Sequence, residues 1–383
     1  MKGIPSKGHF PLVEILIALA VFFVGSLIGS FVQMPALVVY LLGNRKYQDM
    51  IFTGRVSMDK MMDIIANVPQ WMNIVLLVGE LGLLLVVFLY CRLLEKRKLS
   101  TLGFQKKGCV LEYVKGAALG LLLFGIVYIL CYVSGSLSVE GVSLSGETVL
   151  YVVGFFAGYL IQGMAEEVLC RGYLLVSLSR RCSVTLSVVL SSLFFSMLHG
   201  MNQGVTLLAH INIFLFGLFL ALLFIRWENI WIVGALHSIW NFAQGNLFGI
   251  QVSGMQLQPS LIKSDVKEGW EIINGGSFGV EGGLAVTVVL AAALGILGYS
   301  MKKHGCFVEA VSGNQGISFP QGNIFPEGGK APERKEENRG TAEEREYQNM
   351  GLNPQETPWH PGEEKQPEDK GSATGFDQTY FRD

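Results

Sequence analysis

The chain of 383 residues is half hydrophobic and only 16% charged, against about 25% charged in an ordinary soluble domain, and its mean hydropathy is positive. Its net charge of -2, with Lys and Arg gathered in short loop clusters, leaves no basic face for a nucleic-acid partner. Composition therefore excludes a soluble enzyme and points to an all-α, polytopic membrane protein: a bundle of about eight transmembrane helices with a disordered C-terminal tail.

The first apolar run, 11 to 42, would make a helix of about 48 Å against a hydrocarbon core of about 30 Å, so it must tilt, bend near Pro35 or lie partly in the interface. Glu14 near its start could snorkel to the cytoplasmic edge. A connecting loop, 43 to 72, holds Arg45, Lys46, Arg55 and Lys60, and headgroup contact or simple solvation are both open for its basic start. The second run, 73 to 94, contains Glu80, an acid at membrane depth that either pairs with a neighbour or lines a cavity. Further runs follow at 113 to 134, 148 to 178, 184 to 199, 205 to 225, 230 to 247 and 282 to 300.

Basic residues orient these spans. Arg92, Lys96, Arg97, Lys98, Lys106 and Lys107 lie in 91 to 112, Arg180 and Arg181 follow the fourth span, Arg226 the sixth, and Lys302 and Lys303 the eighth, whereas 135 to 147 has no Lys or Arg. Cytoplasmic loops carry the Lys/Arg excess, so both termini are expected in the cytoplasm of a multi-pass cell-membrane protein, a bacterial one by its compactness and lack of a eukaryotic targeting signal. The basic loop at 43 to 72 is the exception, since it must lie outside. Six cysteines without CxxC spacing read as reduced thiols. From about 305 the composition turns to Gly, Glu, Pro, Gln and Lys, which cannot bury a core. Four parts result: N-terminal transmembrane helices, 1–147; a membrane core, 148–247; an extracytoplasmic loop with the last helix, 248–304; and a disordered cytoplasmic tail, 305–383.

Charges inside the core demand a reason. "GMAEEVLCRGY", 163 to 173, sets two carboxylates and an arginine at the end of an apolar run, and each unpaired charge near a helix centre costs about 2.5 to 3.5 kcal/mol. On a helix Glu167 and Arg171 are four apart and share a face, while Glu166 points about 100° away. A buried ion pair with a spare carboxylate would account for these three alone. Two later spans add more: "FFSMLHG" puts Phe195 and His199 on one face, and "ALHSIWNF" does so for His237 and Asn241. A single membrane histidine is usually a helix-packing residue, as His210 in the sixth span is expected to be. Two Glu, two His and an Asn over three spans argue for a shared site.

The segments "EEVLCR", "FSMLH" and "HSIWN" resemble the EExxxR, FxxxH and HxxxN motifs of the CPBP family of intramembrane proteases, which includes type II CAAX prenyl endopeptidases and bacterial Abi proteins. The likeness spans about 148 to 247. It implies an intramembrane endopeptidase in which Glu166 and His199 hold and deprotonate a water, His237 and Asn241 stabilise the oxyanion, and Glu167 and Arg171 brace the site. Neutral imidazole and amide donors suit that oxyanion role. No HExxH is present, so a metal-free glutamate mechanism is favoured, although the same residues could ligate a divalent metal such as zinc. The implied partners are a peptide or protein substrate at the membrane, of prenylated or bacteriocin type, and the lipid bilayer. Two other classes stay open: a non-catalytic immunity or scaffold protein of the same family, and a proton-coupled transporter using Glu80 and Glu166 as relay acids.

Overall fold

Inside a bilayer a segment must satisfy its own backbone hydrogen bonds, which makes helices of apolar runs. The computed structural model describes residues 8–54 and 57–303; the expected disordered tail at 305–383 lies outside the described residues. In chain order the helices are α1 (Pro11–Gly43), α2 (Arg45–Thr53), α3 (Met58–Ala66), α4 (Gln70–Leu94), α5 (Cys109–Val133), α6 (Gly146–Leu178), α7 (Val184–Leu198), α8 (Leu207–Trp227), α9 (Ile230–Phe242), α10 (Glu271–Asn274) and α11 (Leu284–Lys303). All eight apolar runs are helical. Six of the helices, α1, α4, α5, α6, α8 and α11, are long and apolar enough to cross a membrane.

The other two are short. α7 has 15 residues, and α9 has 13 before five more continue as a π-helix, Ala243–Leu247. At 1.5 Å per residue these rise only about 22 and 20 Å, less than the hydrocarbon core. The first run forms one helix of 33 residues that passes through Pro35. Within 43 to 72, where a loop was expected, α2 and α3 form instead. Tyr47 is buried, and its hydroxyl donates to Asp63 Oδ2 at 2.7 Å while Lys46 Nζ sits 2.6 Å from the same oxygen.

Between helices lipid and leucine are equally apolar, so close association relies on small residues that let backbones approach. Gly25 and Gly29 of α1 lie against the backbone of Leu83 and Gly79 on α4. Gly116 and Gly120 of α5 lie against the Ile232 and Leu236 carbonyls of α9, where any β-carbon would collide. As a result every residue from Ile232 to Asn241 is buried, and the polar pair in "HSIWN" faces protein.

The loops after α5 and before α11 are joined. β1 (Leu137–Val142) pairs antiparallel with β2 (Ile262–Val266), Leu137 opposite Val266 and Val142 opposite Ile262. The two segments therefore share one side of the bundle, as the alternation of basic loops requires. Near the opposite ends of α4 and α6, Glu14 does not snorkel but is fully buried. Its Oε2 accepts from the Tyr173 hydroxyl at 3.0 Å, and Arg180 Nη2 reaches its Oε1 at 3.2 Å and Glu95 Oε1 at 2.8 Å. Arg97 binds the other Glu95 oxygen at 2.8 Å. Buried acids are tolerated here because arginines neutralise them.

Candidate active site

α6 is regular through Glu167 and then widens into a π-helix over Val168–Leu175, a distortion that often accompanies functional sites. Glu167 and Arg171 are both fully buried, with Arg171 Nη1 donating to Glu167 Oε1 at 2.6 Å. Arg171 reaches further, from Nη2 to the Gly217 carbonyl of α8 at 3.1 Å, and its guanidinium carbon lies 4.5 Å from the centre of the Phe195 ring on α7. The same Glu167 oxygen accepts from His237 Nδ1 of α9 at 3.0 Å. One ion pair thus ties four helices together.

Glu166 points elsewhere, as the helical angle requires, into a cavity of about 330 Å³ that His199, His237 and Asn241 also line. Its Oε2 stands 4.0 Å from His199 Nε2 and 4.0 Å from His237 Nε2. Of the six residues singled out in the sequence, four line the cavity, and Glu167 and Arg171 stand behind it.

Hydrogen bonds fix which ring nitrogens face the cavity. His199 caps α7, and its Nδ1 lies 2.9 Å from the Phe195 carbonyl; a carbonyl only accepts, so Nδ1 carries the proton and Nε2 presents a lone pair in the neutral ring. The His237 Nδ1 likewise donates to Glu167. Phe195 packs between them, its ring centre 4.8 Å from that of His199 and 5.7 Å from that of His237. The phenyl of "FSMLH" therefore wedges both imidazoles and the Arg171 guanidinium in place.

Sequence reasoning missed Gln162. Its Nε2 donates to Glu166 Oε1 and its Oε1 accepts from Asn241 Nδ2 at 3.0 Å, so the amide links the motif carboxylate to the motif asparagine. The signal was present, because Gln162 is four residues before Glu166 on the same helical face. Glu80 lines the same cavity. His210 does not; it sits beside Ser196, Nδ1 to Oγ 3.2 Å.

Glu166, His199 and His237 offer a carboxylate and imidazoles, a donor set suited to zinc. Neighbouring ligand atoms of a tetrahedral zinc stand about 3.3 Å apart, and the 4.0 Å separations here are too wide to fit the ion as placed. Elsewhere His9, Glu14 and Glu95 bring ligand atoms within 4.8 Å of one another. Arg180 already donates to both of those carboxylates.

Fold and site together define a multi-pass membrane protein whose polar centre is built from glutamate, histidine and asparagine on packed helices. Residues 148–243 match the family model of type II CAAX prenyl endopeptidase Rce1-like proteins, a match that supports the CPBP/CAAX protease family for this part of the chain. No curated relative matches the chain.

Proposed function

We propose that the protein is an intramembrane endopeptidase that hydrolyses peptide bonds of membrane-associated peptides with a glutamate-activated water. The observation that carries this reading is the position of Glu166 Oε2, 4.0 Å from the Nε2 of both histidines. That spacing is too long for direct hydrogen bonds and admits one water at about 2.8 Å from the carboxylate and an imidazole.

Such a water donates one proton to Glu166 and the other to the lone pair of His199 Nε2, leaving its own lone pair for a substrate carbonyl carbon. As the O–C bond forms, Glu166 takes the proton and the carbonyl electrons move onto oxygen. Asn241 has a second N–H beyond the one held by Gln162, and it serves as an oxyanion donor. His237 joins it only as an imidazolium, since its Nδ1 proton is committed to Glu167 and a neutral ring would offer an acceptor at Nε2. Glu166 then returns its proton to the departing amine as the C–N bond breaks.

The substrate class consistent with this cavity and the bilayer is a peptide at the membrane, prenylated or of bacteriocin type. Comparison of membrane and secreted peptide termini between cells carrying the native protein and Glu166→Gln tests the reading. Termini should disappear with the variant while its abundance is unchanged. Identical terminal profiles would end the protease reading; loss of a gradient-driven flux in place of cleavage would put a transporter there.

A further inference from the structure

Among the described residues three acids line the cavity, Glu80, Glu166 and Glu281, and no Lys or Arg does. Two of them are engaged. Glu166 is bound by Gln162, and Glu281 Oε2 accepts from the backbone N–H and the hydroxyl of Ser253, both at 2.8 Å. The Glu80 side chain has no hydrogen-bond or ion-pair partner among the described residues, although an acid at membrane depth is costly without one.

Its place relative to Glu166 follows from helix packing. Ile74 of α4 fills the space over Gly154 of α6, and Leu77 that over Gly158, so the two helices run parallel and in step. One turn further along both, Glu80 arrives at the level of Gln162, itself one turn before Glu166. A turn is about 5.4 Å and an extended peptide advances about 3.3 Å per residue, so for a peptide lying extended along α6 Glu80 falls about two residues from the attacked bond.

From this we infer that Glu80 is a specificity-determining residue: its carboxylate forms a subsite for a Lys or Arg side chain about two residues from the bond that is cut. Apolar side chains elsewhere in the lining, among them Phe22, Leu76, Phe216 and Leu290, suit the flanking residues of a membrane peptide. An arriving cation completes the ion pair that the fold leaves half made, and the surplus of acids repels a peptide presenting a carboxylate at that position. The inference rests on the protease reading, and the test separates the two.

The probes are fluorogenic, N-acylated peptides that carry either lysine or acetyl-lysine at each position flanking the quenched bond, used with the full-length protein in liposomes. Cleavage and, by fluorescence anisotropy, binding are measured for the native protein, Glu80→Gln and Glu80→Asp. The native protein should prefer lysine by about 10- to 100-fold at one position, as a charge-assisted hydrogen bond provides. Glu80→Gln should bring that ratio close to one, and Glu80→Asp should restore part of it. Because the ratio compares two peptides on one variant, it does not depend on how much of the variant folds. A ratio near one in the native protein, or one that survives Glu80→Gln, overturns the subsite. Cleavage without lysine preference removes the subsite and keeps the protease; Glu80-dependent preference in binding without cleavage keeps the subsite and removes the protease. If neither peptide binds the native protein, the subsite is overturned as well.

Discussion

Replacing Glu167 by Gln should unfold the protein more easily while leaving the Glu166 carboxylate intact. Arg171 is fully buried and meets Glu167 Oε1 at 2.6 Å. Without the carboxylate its guanidinium keeps the Gly217 carbonyl and the Phe195 face, but its charge is no longer neutralised. Breaking one side of a buried pair costs about 3 to 5 kcal/mol, and at about 2 to 4 °C per kcal/mol the melting temperature in detergent should fall by roughly 6 to 20 °C. His237 also loses the charge its Nδ1 donates to, so activity should fall with stability. Arg171→Gln breaks the same pair from the other side and should match it. Glu166→Gln is the control, since Glu166 has no arginine partner among the described residues and the variant keeps an acceptor for Gln162; it should melt within about 1 to 2 °C of native and abolish cleavage. Thermal melts and turnover of one identified peptide for the three variants decide the matter. If Glu167→Gln and Arg171→Gln melt like the native protein, the bracing argument is wrong.

Gln162→Met removes both hydrogen bonds that link Glu166 to Asn241 at similar volume, so cleavage should drop by about 10- to 100-fold with little change in melting temperature; a native rate would deny the amide any positioning role. Glu95 offers a pH test. Burial pushes its carboxyl up, but the hydrogen bonds and charges of Arg97 and Arg180 outweigh that and hold it below the usual range. Its stabilisation is therefore present above the unfolded value of about 4.3 and is lost as pH falls through the lower folded value. Melting temperature should decline between about pH 4.5 and 3, and less steeply in Glu95→Gln; parallel profiles would rule that contribution out. For topology, cysteines introduced at the exposed Lys106, Glu140 and Lys263 should react from opposite faces, Lys106 from the cytoplasm and the other two from outside. Labelling of Glu140 and Lys263 from different sides would contradict the strand pairing of β1 with β2.

What the sequence determined by itself was local. Apolar runs longer than a bilayer is thick must become helices, and a period of 3.6 residues decides that Glu167 and Arg171 share a face while Glu166 looks away. That angle reappears in the structure as one carboxylate in the ion pair and its neighbour in the cavity. The same period pairs Gln162 with Glu166. Only the tertiary structure decided which side chains from different helices meet. Nothing in the order of residues says that His237 turns its Nδ1 to Glu167 and its Nε2 to Glu166, because those contacts depend on the depth at which α9 sits against α5 and α6. That depth is set where Gly116 and Gly120 let the α9 backbone approach, and a helix placed one turn higher would satisfy its own hydrogen bonds equally well. The same applies to Glu14, an edge residue in one dimension that three packed helices bury beside Arg180, and to Glu80, whose lack of a partner among the described residues becomes visible only once the neighbours of the cavity are in place. Periodicity fixes the face a residue occupies; contact between faces comes from the packing of whole helices.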